Sequence, residues 1–236
     1  MSPSMPSPGP SETTSVVVVG DVVAGRRFVD DRRLHAGIAE ALDRVNVEVP
    51  ATDPLVRSLR DEFHGVYRDI ATAAAAVLRL RLATDDLVLP TTDGVDEPVE
   101  LRLGLGIGTA YLRAGTRSGT AWYHASDARD EAEALAHRRT WPASLRGRCR
   151  SDAPQLAGIV NAYLLLQDQL LARLDARDRR ALLGLLDGER QVDVATELGV
   201  TQPAIARRLR DRGALAIHRA LLELRTCTDD PARDVG

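Results

Sequence analysis

The spacing of apolar and polar positions changes several times along this chain, and each change marks an element. Residues 15–21, Ser-Val-Val-Val-Val-Gly-Asp, form a β-branched run closed by glycine, the pattern of a strand buried on both faces. From Asp30 to Val45 the period lengthens: Leu34, Ile38, Ala41, Leu42 and Val45 share one helical face, with Asp30 or Asp31 placed to cap it. Two short strand-like runs follow, Leu55–Leu59 and Phe63–Tyr67, joined at hairpin length by Arg60-Asp61-Glu62. Asp69–Ala83 is an alanine-rich helix, and Val99–Ile107 returns to alternation. The order β-α-β-β-α-β is the split βαβ, or ferredoxin-like, plan. Two more helices are predicted over Ala121–Arg138 and Asp152–Leu174, the second rich in leucine and placed to join two halves.

The last fifty residues are patterned as short helices. Arg177–Leu186 places Ala181, Leu182, Leu185 and Leu186 inward and stops at Gly188. Gln191–Leu198 carries Val194 and Leu198 at i, i+4, and Gly199-Val200-Thr201 then supplies a left-handed turn, a core plug and an N-cap. Pro203 suits the first turn of the next helix, whose inner stripe is Ile205 and Leu209. Its outer face offers Gln202, Ala206, Arg207 and Arg210. The spacing predicts a helix-turn-helix whose second helix presents Thr201, Gln202, Pro203, Ala206, Arg207 and Arg210 to a DNA groove, with Arg208 and Arg212 on phosphates. A three-helix bundle with a solvated basic face would share this pattern.

Charge sharpens that expectation. The chain has 236 residues and a formal net charge of -3, and all of its basic side chains are arginine. Residues 201–225 hold six arginines against Asp211 and Glu223, a basic end on an acidic body. Hydrophobic residues at 44% describe a globular protein, and no run is long and apolar enough for a membrane helix. Cys149 and Cys227 have no metal-ligand spacing, and the start lacks a signal-peptide pattern, so a cytoplasmic protein is expected. Residues 1–14, rich in Ser and Pro, and 226–236 are expected to be disordered tails.

Candidate chemistry gathers at the strand ends. Asp21 closes the first strand, and Asp61 and Glu62 stand on the hairpin that the predicted sheet puts beside it. Carboxylates meeting there would repel unless a cation such as Mg²⁺ or Mn²⁺ joined them, and such ions could hold nucleotide phosphates. On spacing alone the plainer reading is favoured, a strand-end cap and a polar turn. Trp122 and Tyr123 could stack on a base, though filling the core is the commoner role. Gly104-Leu-Gly-Ile-Gly108 reads as close packing or a bulge, since it lacks the context of a dinucleotide fingerprint. The five histidines are scattered, with no metal-ligand pair.

Several segments together resemble the SatD family of bacterial proteins: Val17-Val-Val-Gly-Asp-Val-Val-Ala-Gly-Arg26, Arg60-Asp-Glu-Phe-His-Gly-Val-Tyr67, Leu103–Gly108, Gly119-Thr-Ala-Trp-Tyr123 and the C-terminal helices. The resemblance implies a bacterial cytoplasmic DNA-binding or regulatory protein. The first half is also distantly similar to class III nucleotide cyclase and GGDEF domains. In those folds an aspartate ending the first strand and an acidic hairpin bind two metal ions, positions that Asp21 and Asp61 match, with Glu62 and Phe63 continuing the motif. Arg60 stands where glycine is usual before the acidic pair. Tyr123 and Asp127 stand where cyclases carry an asparagine and an arginine, Ser126 where the SatD-like pattern has arginine, and no lysine is present for the base. These departures remove transition-state groups and imply binding rather than catalysis.

The expected protein is therefore α+β. A ferredoxin-like, cyclase/GGDEF-like domain spans 15–150, a connecting helix 151–175 and an all-α helix-turn-helix domain 176–225. The main functional expectation is a transcriptional regulator on double-stranded DNA, one that fails if its basic face is packed into the protein's own interior, with a homodimerising first domain that senses a nucleotide or metal. The alternatives are a metal-dependent cyclase-like enzyme, a catalytically inactive nucleotide-binding relative, or a scaffold using the C-terminal helices to hold a protein. No catalytic residue is assigned.

Overall fold

A computed structural model describes residues 14–58, 61–113 and 116–226. Arg60, Cys227 and the two expected tails lie outside them, apart from Thr14, which opens the first strand, and Thr226, which ends the last helix. The β-branched run forms β1 (Thr14–Val22), its interior buried throughout. Asp30 caps α1 (Asp31–Glu48) by accepting from the Arg33 amide, and the predicted stripe from Leu34 to Val45 is the buried face. The hairpin forms as β2 (Asp53–Arg57) and β3 (Phe63–Tyr67), then α2 (Ile70–Asp85), capped by Asp69. Two small ribbons flank the sixth strand: β4 (Val88–Pro90) with β5 (Asp96–Pro98), and β7 (Tyr111–Arg113) with β8 (Thr116–Ser118). Between them runs β6 (Leu101–Thr109), followed by α3 (Thr120–Ala136), β9 (Gly147–Ser151) and α4 (Pro154–Leu171).

The main sheet has the order β2-β3-β1-β6-β9. β1 is antiparallel to both β3 and β6, which is the split βαβ arrangement predicted from the element order. β9 adds a fifth strand, parallel to β6 across the α3 crossover. The two faces of the sheet bury different things. Val16 and Val18 belong with Leu103, Leu105 and the residues of α1 and α2, whereas Val17, Val19 and Val66 belong with Ala121 and Ala125 of α3. The glycines of β6 decide how closely α3 sits. A Cβ at Gly106 would stand 2.0 Å from the Ala121 carbonyl oxygen, so the segment permits close packing, as its sequence suggested.

The C-terminal helices are α5 (Ala176–Leu186), α6 (Gln191–Glu197), α7 (Gln202–Asp211) and α8 (Ala214–Thr226). Gly199, at φ 65°, makes the turn between α6 and α7 that only glycine adopts without strain. Thr201 occupies the N-cap of α7, but its side chain makes no capping hydrogen bond, contrary to expectation. Leu182, Val194, Ile205, Leu209, Ile217 and Leu221 are buried in the same cluster as the sheet's α1/α2 side. Arg79 of α2 reinforces this junction, bonding Glu48 at 2.8 Å and Asp187 at 2.7 Å. A second buried junction ties α2, α4 and β9: Arg81 donates to Asp168 at 2.6 Å, and Asp168 also accepts from the amides of Arg146 and Gly147.

Candidate ligand cleft

Strand alternation points Asp21, like Val17 and Val19, toward α3. Its register partner is Arg102 on β6, whose guanidinium reaches Asp21 Oδ2 at 3.4 Å and Glu133 of α3 at 3.1 Å. The other oxygen, Oδ1, is buried with no hydrogen-bond partner among the described residues. Burial pushes the Asp21 carboxyl above its ordinary value, while Arg102 and Arg129 oppose that rise. Asp61 turns toward α1 instead, where Oδ1 pairs with His35 Nε2 at 3.0 Å and Oδ2 lies against Gly25. Glu62 goes a third way, accepting from Arg129 of α3 at 3.0 Å.

The three carboxylates expected to share a cation are thus each held by a basic side chain of this protein. Among the described residues no three His, Cys, Asp or Glu side chains form a group that could hold a metal ion. Asp21, Asp61 and Glu62 do not fit Mg²⁺ or Mn²⁺ as predicted. The physical reason is that Asp21 and Asp61 face different helices, and that Arg102, Arg129 and His35 stand against the three carboxylates.

Beside this network, over β3 and β2, the sheet carries two adjoining clefts of about 250 and 310 Å³, with Trp122 of α3 lining both. The first is walled by His64, Arg117, Ser126 and Arg129, and the second by Thr52, Asp53, Val66 and Tyr111. His64 is only 4% exposed and meets Trp122 edge to face. Arg117 stands over the indole at 5.3 Å, a cation–π contact. Trp122 Nε1 and His64 Nε2 are both buried and unpartnered among the described residues. Burial, with Arg117 nearby, holds the His64 pKa below its ordinary value, so the ring is neutral at pH 7.

Arg129 had no place in the sequence reading, which weighed Tyr123, Ser126 and Asp127. Tyr123 points into solvent, 74% exposed, and Asp127 pairs with Arg150. The available signal was a stripe: Trp122, Ser126, Arg129 and Glu133 fall at i, i+4, i+7 and i+11, alongside the buried stripe Ala121, Ala125, Ala128 and Ala132.

On the C-terminal helices, Thr201, Gln202, Pro203, Arg207, Arg210 and Arg212 are exposed and Ala206 is half-buried. Arg208 is not free for phosphate. Its Nε donates to the buried carboxylate of Asp178 at 2.8 Å and its Nη2 to Asp175, binding α7 to the N-terminus of α5.

No protein-family model and no curated protein matches the chain, so the SatD resemblance gains no support. Solved structures do resemble it. The GGDEF domain of DgcB from Caulobacter crescentus, in complex with c-di-GMP, is 18% identical with a TM-score of 0.41, over 58% of this chain and 78% of that one. An active GGEEF domain of a diguanylate cyclase from Vibrio cholerae is 12% identical with a TM-score of 0.40, covering 59% and 83%. The guanylyl cyclase domain of the RhoGC fusion protein from Blastocladiella emersonii is 17% identical with a TM-score of 0.35, covering 50% and 74%. Values this low say nothing of site chemistry. The structures that the chain resembles are described as GGDEF and guanylyl cyclase domains and not as DNA-binding regulators, which runs against the main functional expectation, and Arg208, expected on phosphate, is held by Asp178 and Asp175 instead. Among the described residues no helix is long and apolar enough to cross a membrane.

Proposed function

We propose that this protein binds a nucleotide on the open strip of its sheet beside Trp122, and that it does so without cyclase chemistry. The observation that carries the reading is that Trp122 and His64, each with a buried, unpartnered nitrogen among the described residues, line a cleft that also holds two guanidinium groups. A buried polar atom without a partner costs about 1–3 kcal/mol, a cost that a ligand can offset by supplying the missing hydrogen bond. A nucleobase has a flat π-face for the indole and donors and acceptors along its edge for the two nitrogens. Phosphate would then meet the guanidinium groups of Arg117 and Arg129. Asp53, lining the neighbouring cleft, offers an acceptor to a ring N–H.

Catalysis of the cyclase type asks for carboxylates free to hold cations and for groups that stabilise a developing charge. Asp21, Asp61 and Glu62 are engaged instead by Arg102, His35 and Arg129. Calorimetric titration of the full chain with GTP and ATP tests the reading. Binding of at least one is expected, at least tenfold weaker in Arg117→Ala and in Trp122→Leu, with no pyrophosphate released in the presence of Mn²⁺. Absence of binding to both nucleotides would remove the proposal.

A further inference from the structure

We infer that Arg129, with Arg102 behind it, takes the place of a divalent cation at the end of β1, so that the cleft receives phosphate directly on guanidinium and needs no metal. The second half of this inference rests on the nucleotide reading above; the first half stands on geometry alone.

The charges alternate. Glu133 pairs with Arg102 at 3.1 Å, Arg102 with Asp21 at 3.4 Å, and Arg129 with Glu62 at 3.0 Å and Asp130 at 3.0 Å. Asp21 feels Arg102 and Arg129 as its attractive neighbours, and Glu133 and Glu62 as its repulsive ones. Neighbouring carboxylates oppose one another's ionisation, and two guanidinium groups set among them offset that repulsion here. One comes from β6 by strand register, the other from α3 by helical spacing. Both arginine side chains are largely buried, at 14% and 19% exposed, so solvent screens their charge less than it would on an open surface.

A guanidinium also differs from a metal ion in what it offers an oxyanion. It is planar, permanently charged and carries five N–H donors. Arg129 directs Nη1 to Glu62, and Nε and Nη2 to Asp130, which leaves donor capacity on both terminal nitrogens in the wall of the cleft. Exchange of a metal for an arginine gives up Lewis acidity and ligand-to-ligand bridging while keeping phosphate recognition.

The test uses the intact protein and Mn²⁺ as the probe, followed by water-proton relaxation. Wild type and Asp21→Asn should be indistinguishable at millimolar Mn²⁺. Arg129→Met, or Arg102→Met/Arg129→Met, should gain Mn²⁺ affinity at least tenfold, and adding Asp21→Asn should abolish the gain. Wild-type Mn²⁺ binding that Asp21→Asn removes would overturn the inference, and that comparison needs no folded arginine variant. So would folded arginine variants, verified by circular dichroism, that gain nothing. GTP binding should be unchanged by EDTA, and a requirement for Mn²⁺ would count against the metal-free half. If GTP fails to bind with or without Mn²⁺, the nucleotide reading falls, and the relaxation data still decide the role of Arg129.

Discussion

His64 and Trp122 meet with ring centroids 5.6 Å apart and planes at 63°, and each leaves a buried nitrogen unsatisfied among the described residues. Edge-to-face contact stabilises an aromatic pair, but it does not replace a hydrogen bond to the ring nitrogens. The pair is therefore placed for something other than maximum stability.

His64→Phe tests that conclusion. It keeps the ring and removes the unsatisfied nitrogen, so the variant should be as stable as wild type or gain about 1 kcal/mol, while GTP binding weakens. The pH dependence has a definite sign. Burial and Arg117 hold the folded-state pKa of His64 below 6.5, so the unfolded chain takes up the proton first as pH falls. Stability is full above about 6.5 and declines from there down through the folded-state pKa. His218, half-buried near Arg219 and Arg225, behaves alike, so wild type and variant both lose stability in acid. Urea unfolding at pH 7.5 and 5.0 should show a smaller loss in His64→Phe, and equal losses would contradict the assignment.

Gly106→Ala should be costly despite its small size. The added methyl would meet backbone, at 2.0 Å from the Ala121 oxygen and 2.4 Å from the Ala125 nitrogen, and neither can swing aside as a side chain could. Overpacking of this kind costs about 1–3 kcal/mol, and lifting α3 would also open the cleft under Trp122. Denaturant midpoints should fall, with GTP affinity falling alongside. A fully stable alanine variant would show that α3 is not seated as described.

The main elements were legible because burial imposes periods: Val16–Val19 read as a strand and Leu34 to Val45 as a helical stripe. β9 was not, since Gly147-Arg-Cys-Arg-Ser buries a glycine and a cysteine between arginines and offers no apolar run. The site was half legible. Asp21 and the acidic hairpin mark the right end of the sheet, yet sequence does not say which face each carboxylate takes. A change of one residue in register reverses that choice. Arg129 lay hidden among many arginines, visible only once the glycines of β6 and the alanines of α3 had fixed which side of the helix meets the sheet.

Asp168 provides a prediction about the junction between α2, α4 and β9. Its side chain and that of Arg81 are 2% and 4% exposed, so removing the carboxylate takes an ion-pair partner from a buried guanidinium. Asp168→Ala should cost about 3–5 kcal/mol in urea unfolding. Asp168→Asn should cost less, because an amide oxygen can still accept from Arg146 and Gly147. In the Asp168→Asn background, Arg81→Met should cost less than it does in wild type. Additive losses in this cycle would mean that the two side chains are not coupled.

Asp21 gives the opposite expectation, although it too is a carboxylate beside an arginine. Burial raises its folded-state pKa above 3.8 despite Arg102 and Arg129, and one oxygen has no partner among the described residues. The folded protein therefore binds this proton more readily than the unfolded chain does, so ionised Asp21 costs stability at neutral pH. That cost disappears as pH falls through the folded-state pKa toward 3.8. Asp21→Asn lacks the charge at every pH, and Arg102 retains Glu133 as its partner. The variant should match or exceed wild type in urea midpoint at pH 7, with the difference shrinking toward pH 4 and unaffected by added Mn²⁺. A clear loss of stability at pH 7 would mean instead that the Arg102–Asp21 attraction outweighs the burial of the carboxylate.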